Sequence, residues 1–151
     1  MGEGAFGKAY LVKRKADNEL LVIKEMNIDH MTQQEKSETI KEAQILKNLN
    51  HPNIVKFVEV YVTKQNKLKI VMEYAECGDL SKAISERKKS KKFFDESQIL
   101  DWFTQICLAM KHVHDRKILH RDIKGQNIFI SKTNTLKLGD FGIARVLNKT
   151  M

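Results

Sequence analysis

Asp122, Lys124 and Asn127 stand in the run His120-Arg121-Asp122-Ile123-Lys124-Gly125-Gln126-Asn127, and Asp140-Phe141-Gly142 follows after a short gap. Together these side chains suit the movement of a phosphoryl group from ATP. The Asp122 carboxylate can orient an attacking hydroxyl and accept its proton, and the Lys124 ammonium can meet the transferring phosphate. Asn127 and Asp140 supply the hard oxygen ligands that Mg²⁺ prefers. A lone carboxylate is usually surface decoration, and a lone histidine such as His120 is more often packed in a core than catalytic. The joint pattern of His-Arg-Asp, Lys, Asn and Asp-Phe-Gly is hard to reach by accident. Asp122 and Asn127 occupy a stretch without helical periodicity, between a long helix and a strand, so both can line one rim of a cleft. Asp140 follows a hairpin whose strands bring it back beside them.

A second group lies near the start. Gly2-Glu3-Gly4-Ala5-Phe6-Gly7 has the glycine spacing that lets backbone amides approach phosphate oxygens. A dinucleotide-binding fold uses the same letters but follows them with a helix. Residues 8–12 read as a strand, which favours a turn folded over a nucleotide. Lys24 closes the apolar run Leu21-Val22-Ile23. It is either an ordinary surface lysine or an ammonium aimed at the same phosphates. Glu42 sits beside the apolar Ala43 and Leu46, where a carboxylate is costly unless paired, so an ion pair from Lys24 to Glu42 is physically sensible.

The elements that must hold these groups follow from periodicity. Residues 10–12 and 20–23 read as an antiparallel pair of strands. Thr32-Gln33-Gln34-Glu35 is a capping box that opens a helix carrying Ile40, Ala43, Leu46 and Leu49, and Asn50-His51-Pro52-Asn53 stops it. Residues 54–62 and 68–74 predict two more strands around a polar turn. Asp79 opens a helix over 79–89. Asp95 precedes a long one on which Ile99, Trp102, Phe103, Ile106, Met110 and Val113 recur at helical spacing and are expected in the core. Residues 128–130 and 136–138 form a short hairpin leading to Asp140. The order is four strands with one inserted helix, then helices with a small hairpin, without internal repeats.

A length of 151 residues, with 42% hydrophobic and 30% charged residues, fits one ordinary globular domain. No apolar run is long enough to cross a bilayer, and the first residues lack a secretory leader, so an intracellular location is expected. Cys77 and Cys107 lie far apart and outside any ligand pattern, which argues against disulfide or zinc frameworks and for buried or half-buried thiols. The formal charge of +8 owes much to residues 87–92, RKKSKK. That patch reads as a solvated loop, and no aromatics are interleaved to stack bases. Neither specific nucleic acid nor membrane is an expected partner.

Over its whole length the chain resembles a eukaryotic protein kinase, and it is most similar to the NIMA-related (Nek) serine/threonine kinases. The runs Lys117-Ile118-Leu119-His120-Arg121-Asp122-Ile123-Lys124, Gln126-Asn127-Ile128-Phe129 and Leu138-Gly139-Asp140-Phe141-Gly142-Ile143-Ala144-Arg145 carry the finer match. The resemblance implies an α+β fold. An antiparallel small lobe with one helix, its first strand mostly missing, would span residues 1–74. The hinge and the first part of a mainly helical large lobe would span 75–151.

It also implies roles for particular residues. Gly2, Glu3, Gly4, Ala5, Phe6 and Gly7 would cover the nucleotide, and Ala9 and Val22 would pack on its base. Lys24 would hold the α- and β-phosphates, supported by Glu42. The backbones of Glu73 and Ala75 would meet adenine, with Phe129 beneath the ring. Asp79 would reach the ribose, although capping its own helix explains it equally well. Asp122 becomes the catalytic base, Lys124 the contact to the transferring phosphate, and Asn127 and Asp140 the metal ligands. The implied activity is transfer of the γ-phosphoryl of Mg·ATP to Ser or Thr hydroxyls of protein substrates. ATP and Mg²⁺ are the implied cofactors, in the cytoplasm, with cytoskeletal or ciliary association as a family trait.

Within the motifs the departures are small: Ala9 replaces a common valine, Val22 a common alanine, and Gly125 suggests a looser catalytic loop. At the ends they are larger. Met1 falls where the first strand should be under way, and after Met151 there is neither the rest of an activation segment nor an Ala-Pro-Glu motif. A chain truncated at both ends is expected to bare an apolar face on the helix bearing Trp102 and Ile106. The alternative reading is a catalytically incomplete fragment acting as a nucleotide-binding or protein-association module.

Overall fold

The computed structural model describes residues 2–4, 7–141 and 145–146, with residues 2–4, Glu42, Ile45, Arg145 and Val146 described only through their backbone. The chain forms two compact units, Met1–Asn50 with Lys56–Tyr74, and His51–Val55 with Ala75–Met151.

The first unit is built on strands β1 (Gly2–Gly4), β2 (Gly7–Lys13), β3 (Leu20–Asn27), β4 (Phe57–Val62) and β5 (Lys67–Glu73). They form one five-stranded sheet in the order β1-β2-β3-β5-β4, with every neighbouring pair antiparallel. The turn from β2 to β3 is closed by Arg14, whose guanidinium pairs with Asp17 and Glu19, and by Asn18 in the left-handed region at φ 63°. Asparagine tolerates that conformation better than most residues. Gly7 has φ +122°, and a Cβ there would lie 2.1 Å from the Glu25 carbonyl oxygen, so glycine is required where β1 turns into β2.

Helix α1 (Gln33–Ile45) begins at the expected capping box: Thr32 Oγ1 accepts from Glu35 N–H, and the Glu35 carboxylate accepts from Thr32 N–H at 2.7 Å. It ends earlier than the Asn50 stop suggests, because the chain tightens into a 3-10 turn over Leu46–Asn48 that brings Leu49 into the core. Strand β4 likewise begins at Phe57 and not at residue 54. Ile54 and Val55 belong to the second unit, where Val55 N–H bonds Leu138 O at 2.8 Å.

The second unit holds helices α2 (Leu80–Lys89) and α3 (Glu96–Asp115), a hairpin of β7 (Ile128–Ile130) and β8 (Leu136–Leu138), and β6 (Ile118–Leu119) paired with β9 (Arg145–Val146). Asp79 caps α2 by accepting from Lys82 N–H at 2.9 Å. The far end of α2 closes with Lys92 N–H on Arg87 O and Lys91 N–H on Lys88 O, around a left-handed Lys91 at φ 53°. This double bond pattern ends many helices, usually with glycine in the left-handed position.

Helix α3 buries Trp102, Ala109 and Val113. Ile99 and Phe103, expected in the core, are instead 51% and 67% exposed, because only the stripe centred on Trp102 and Ala109 is covered. The expected bare apolar face is therefore present, but it centres on Ile99 and Phe103 while Trp102 is packed. Cys77 and Cys107, expected as buried or half-buried thiols, are both exposed. Gly125 does not loosen its loop. A Cβ there would stand 3.1 Å from the Ser81 backbone nitrogen, so the glycine lets the loop lie directly on α2. No described helix is long and apolar enough to cross a membrane.

The segment His51–Val55 of the second unit is more than a helix stop. Asn53 is buried and donates to Leu136 O at 3.0 Å and to Gln105 Oε1 at 2.9 Å, while Gln105 Oε1 also accepts from Leu136 N–H at 2.7 Å. The edge of the β7–β8 hairpin is thus pinned by one buried amide and one side chain of α3.

His51 packs 5.0 Å from His112, whose Nε2 is buried without a partner among the described residues. Burial, and then the nearby Arg116 charge, lower both imidazoles below their ordinary 6.5. The folded chain holds them neutral while the unfolded chain takes up protons. Their contribution is complete above 6.5 and is lost as pH falls through the lowered values. The melting temperature should therefore hold steady near neutrality and fall between about pH 6.5 and pH 5, above the range where carboxylates titrate. A flat profile down to about pH 5 would refute this account. At the end of α2, Lys91→Gly should stabilise the fold by about 0.5–1 kcal/mol in urea denaturation, since it removes a left-handed side chain at some entropic cost.

Candidate active site

The residues around Asp122 are tied together by hydrogen bonds that leave few of their orientations open. Asn127 is buried, and its side-chain nitrogen donates to the Asp122 carbonyl and to Asp122 Oδ2, both at 2.8 Å. Both partners are acceptors, so the amide must present its N–H₂ here and direct Oδ1 elsewhere. Lys124 Nζ lies 2.8 Å from the same Asp122 Oδ2. The Lys124 ammonium is the main cause that holds the Asp122 carboxyl below the usual carboxylate range. Burial opposes it, and the Asn127 hydrogen bond adds to it.

His120 is almost fully buried and supports the loop from beneath. Its Nδ1 accepts from Asp122 N–H at 3.3 Å, and its Nε2 lies 2.8 Å from Gly139 O. A ring that accepts at Nδ1 and meets a carbonyl at Nε2 is the neutral Nε2–H tautomer. Burial lowers its pKa in agreement with that, despite the Gly139 carbonyl and the charges of Asp140 and Asp122. The ring packs 4.6 Å from Phe141. Gly139 N–H in turn bonds Asn127 O at 2.9 Å, so the residue before Asp140 is held on both sides. Asp140 itself is left-handed at φ 53°, and Arg121 is left-handed at φ 65°. Sparsely populated backbone conformations of this kind persist where the surroundings over-determine them.

The hairpin and the segment before α2 bring two further candidates together. Ile130 N–H bonds Gly78 O at 2.9 Å, Cys77 N–H bonds Ile130 O at 3.0 Å, and Asp79 bridges to Phe129. Asp79 is the cap of α2, as one of its two readings required. Ala75 is buried in the same unit.

In the first unit the sheet register puts Ala9 opposite Lys24, and Val22 lies two residues before Lys24 on the same face. This face is joined by Ile70, opposite Lys24, which belongs to no motif, and by Met72, opposite Val22, the first residue of the run Met72-Glu73-Tyr74-Ala75 that the resemblance makes the hinge. The alternation Leu68, Ile70, Met72 is the signal that carries them. Glu73 N–H bonds Lys56 O at 2.9 Å, so that N–H is not the group available to a purine. Its carboxylate also accepts from Lys56 N–H at 2.6 Å. The expected partner of Lys24, the Glu42 side chain, lies outside the described residues, as do Ala5, Phe6, Gly142 and the side chain of Glu3.

Among the described residues no group of three or more His, Cys, Asp or Glu is placed to hold a metal ion. Asn127 and Asp140 are a donor pair of hard oxygens. That fits a cation which keeps several waters and binds through one or two protein ligands plus a substrate phosphate, as Mg²⁺ does.

The sequence model of the family described as Protein kinase domain matches residues 1–151. Serine/threonine-protein kinase Nek1 of Mus musculus is 57% identical over 151 residues, which is 100% of this chain and 12% of that protein. Serine/threonine-protein kinase Nek5 of Homo sapiens is 55% identical over 152 residues, 100% of this chain and 21% of that protein. Probable serine/threonine-protein kinase nek3 of Dictyostelium discoideum is 46% identical over 151 residues, 98% of this chain and 13% of that protein. The chain thus spans between 12% and 21% of the length of these curated relatives.

The electrostatics of the loop can be tested apart from activity. In Lys124→Met the carboxyl of Asp122 should titrate higher than in the parent, read by carbon NMR of labelled aspartate. An unchanged titration would mean that Lys124 does not set the charge state of Asp122.

Proposed function

The chain belongs to the protein kinase family, with Nek serine/threonine kinases among its relatives, and on that premise we propose that it carries the ATP-binding and catalytic-loop chemistry of such an enzyme. The reaction is transfer of the γ-phosphoryl group of Mg·ATP to Ser or Thr hydroxyls of protein substrates in the cytoplasm. The observation that supports it best is the coupling of Asp122, Lys124 and Asn127 through one carboxylate oxygen.

In this reading Asp122 acts mainly by orientation. A carboxylate held below its usual range is a weak proton sink, so it aligns the incoming hydroxyl and takes the proton only as the new bond to phosphorus forms. Lys124 neutralises charge on the transferring phosphate. Asn127, with its N–H₂ committed to Asp122, would offer Oδ1, and Asp140 its carboxylate, as the metal ligands. Bound there, Mg²⁺ supplies charge neutralisation to the phosphates. Gly2, Glu3, Gly4, Ala5, Phe6 and Gly7 cover the nucleotide. Lys24 holds its α- and β-phosphates, with Glu42 supporting Lys24. Ala9, Val22 and Phe129 pack against the base, Glu73 and Ala75 meet adenine through their backbones, and Asp79 reaches the ribose.

A second reading, association with another protein without catalysis, draws on the exposed Ile99, Leu100 and Phe103 of α3. Nucleotide and transfer assays separate the two. Lys24→Met should weaken Mg²⁺-dependent ATP binding by about tenfold or more through loss of a charge-assisted phosphate contact. Asp122→Asn should keep ATP binding and lose transfer by about a hundredfold or more. ATP binding absent from parent and variant alike would sink the nucleotide assignment. Transfer unaffected by Asp122→Asn would sink the assigned role of that carboxylate.

A further inference from the structure

The corner after α2 is built so that one aromatic side chain must point outward. Arg87 Nη1 donates to Phe93 O at 3.3 Å, and its guanidinium lies 4.7 Å over the ring of Phe94. Phe94 in turn meets Trp102 edge-on at 5.1 Å, and Trp102 Nε1 is anchored on Asn134 O at 3.2 Å. With Phe94 drawn inward, its neighbour Phe93 stands 91% exposed, the most exposed large apolar side chain among the described residues. Lys88, Lys89, Lys91 and Lys92 precede it within five residues of chain, all exposed, and none joins any of the ion pairs among the described residues. Lys91 occupies the left-handed cap position that glycine fills at lower cost. The sequence reading of residues 87–92 as a merely solvated loop without a membrane partner did not include the outward ring of Phe93.

We propose that this corner is a contact for an anionic lipid surface, with the lysines drawn to the headgroups and the Phe93 ring seated at the boundary between headgroups and acyl chains. Lysine ammoniums are hydrated point charges on flexible stems, which suit a diffuse negative surface. The one guanidinium of the patch, the group best suited to grip a single phosphate through two bonds, is turned toward Phe93 O and the Phe94 ring. A single-stranded nucleic acid would require successive stacking rings, and here only one of the two is presented. A basic cluster or a single apolar group holds a membrane weakly, whereas the two together give usable binding.

Co-sedimentation of the full chain with phosphatidylcholine vesicles, with and without phosphatidylserine, tests the proposal. Binding should require phosphatidylserine and weaken with salt. Each of Lys88→Ala, Lys89→Ala, Lys91→Ala and Lys92→Ala should lower the partition coefficient by about fivefold. Phe93→Ala, at unchanged charge, should lower it by about threefold or more, and Phe93→Trp should retain it. The control removes the exposed Lys13, Lys15, Lys47 and Lys64 together and should lose much less than removal of the corner lysines together. Circular dichroism confirms that each variant is folded. Equal binding to phosphatidylcholine alone, no effect of Phe93→Ala, or an equal loss in the control would overturn the proposal. Tighter binding of a thymidine oligonucleotide, lost in the same variants, would also overturn it and assign the corner to nucleic acid.

Discussion

Both amide protons of Asn127 end on Asp122, one on its backbone carbonyl and one on its carboxylate, and the rest of the catalytic loop is arranged around that commitment. The carbonyl of Asn127 accepts from Gly139, and the carbonyl of Gly139 accepts from His120. Loop and strand end are therefore laced by buried bonds worth about 1 kcal/mol each. A left-handed aspartate at position 140 costs an amount of the same order. The conformation is tolerable because the residue before it cannot relax. His120 makes this possible by being buried and uncharged, since a protonated ring would have to be desolvated beneath the loop and would lose its acceptor for Asp122 N–H.

The charges in the loop do a different job. Lys124 and Asp122 are both partly exposed, so their attraction adds little to folding in competition with water. Its effect falls on proton affinity, because a nearby ammonium keeps the carboxylate ionised. The site separates two tasks, with buried neutral groups fixing geometry and exposed charged groups setting chemistry.

That division explains what could be read from the sequence. The proposed phosphoryl chemistry would restrict residue type at Asp122, Lys124, Asn127 and Asp140, so type and spacing expose them. The capping box at Thr32 and the cap at Asp79 are local, and local signals are legible. Helical spacing shows which residues share a face but not whether anything covers that face, so Ile99 and Phe103 were expected in the core and are exposed. Gly125 carries the same letter whether its role is freedom or close approach, and only the proximity of Ser81 decides between them. The clamp of Asn53, Gln105 and Leu136 joins residues far apart in sequence, and neither polar side chain advertises a partner.

Helix α3 ties these observations together through its inward side chains. Gln105 receives Leu136 N–H and so helps fix the hairpin that precedes Asp140. Trp102 takes the edge of Phe94 and thereby leaves Phe93 outward in the basic corner. The His112 ring packs at a tilt against His51, in the loop that carries Asn53. A core substitution such as Trp102→Ala would remove packing of the order of 3–5 kcal/mol, and the loss would not stay local. Without Trp102 only the Arg87 guanidinium would remain against the Phe94 ring, so the direction of Phe93 would be set less firmly. On the same helix Gln105 would lose the rigid support that keeps its carbonyl between Asn53 and Leu136. The loop from His120 to Asn127 is thus legible as a short motif, but its geometry is borrowed from a helix that carries none of the motif residues.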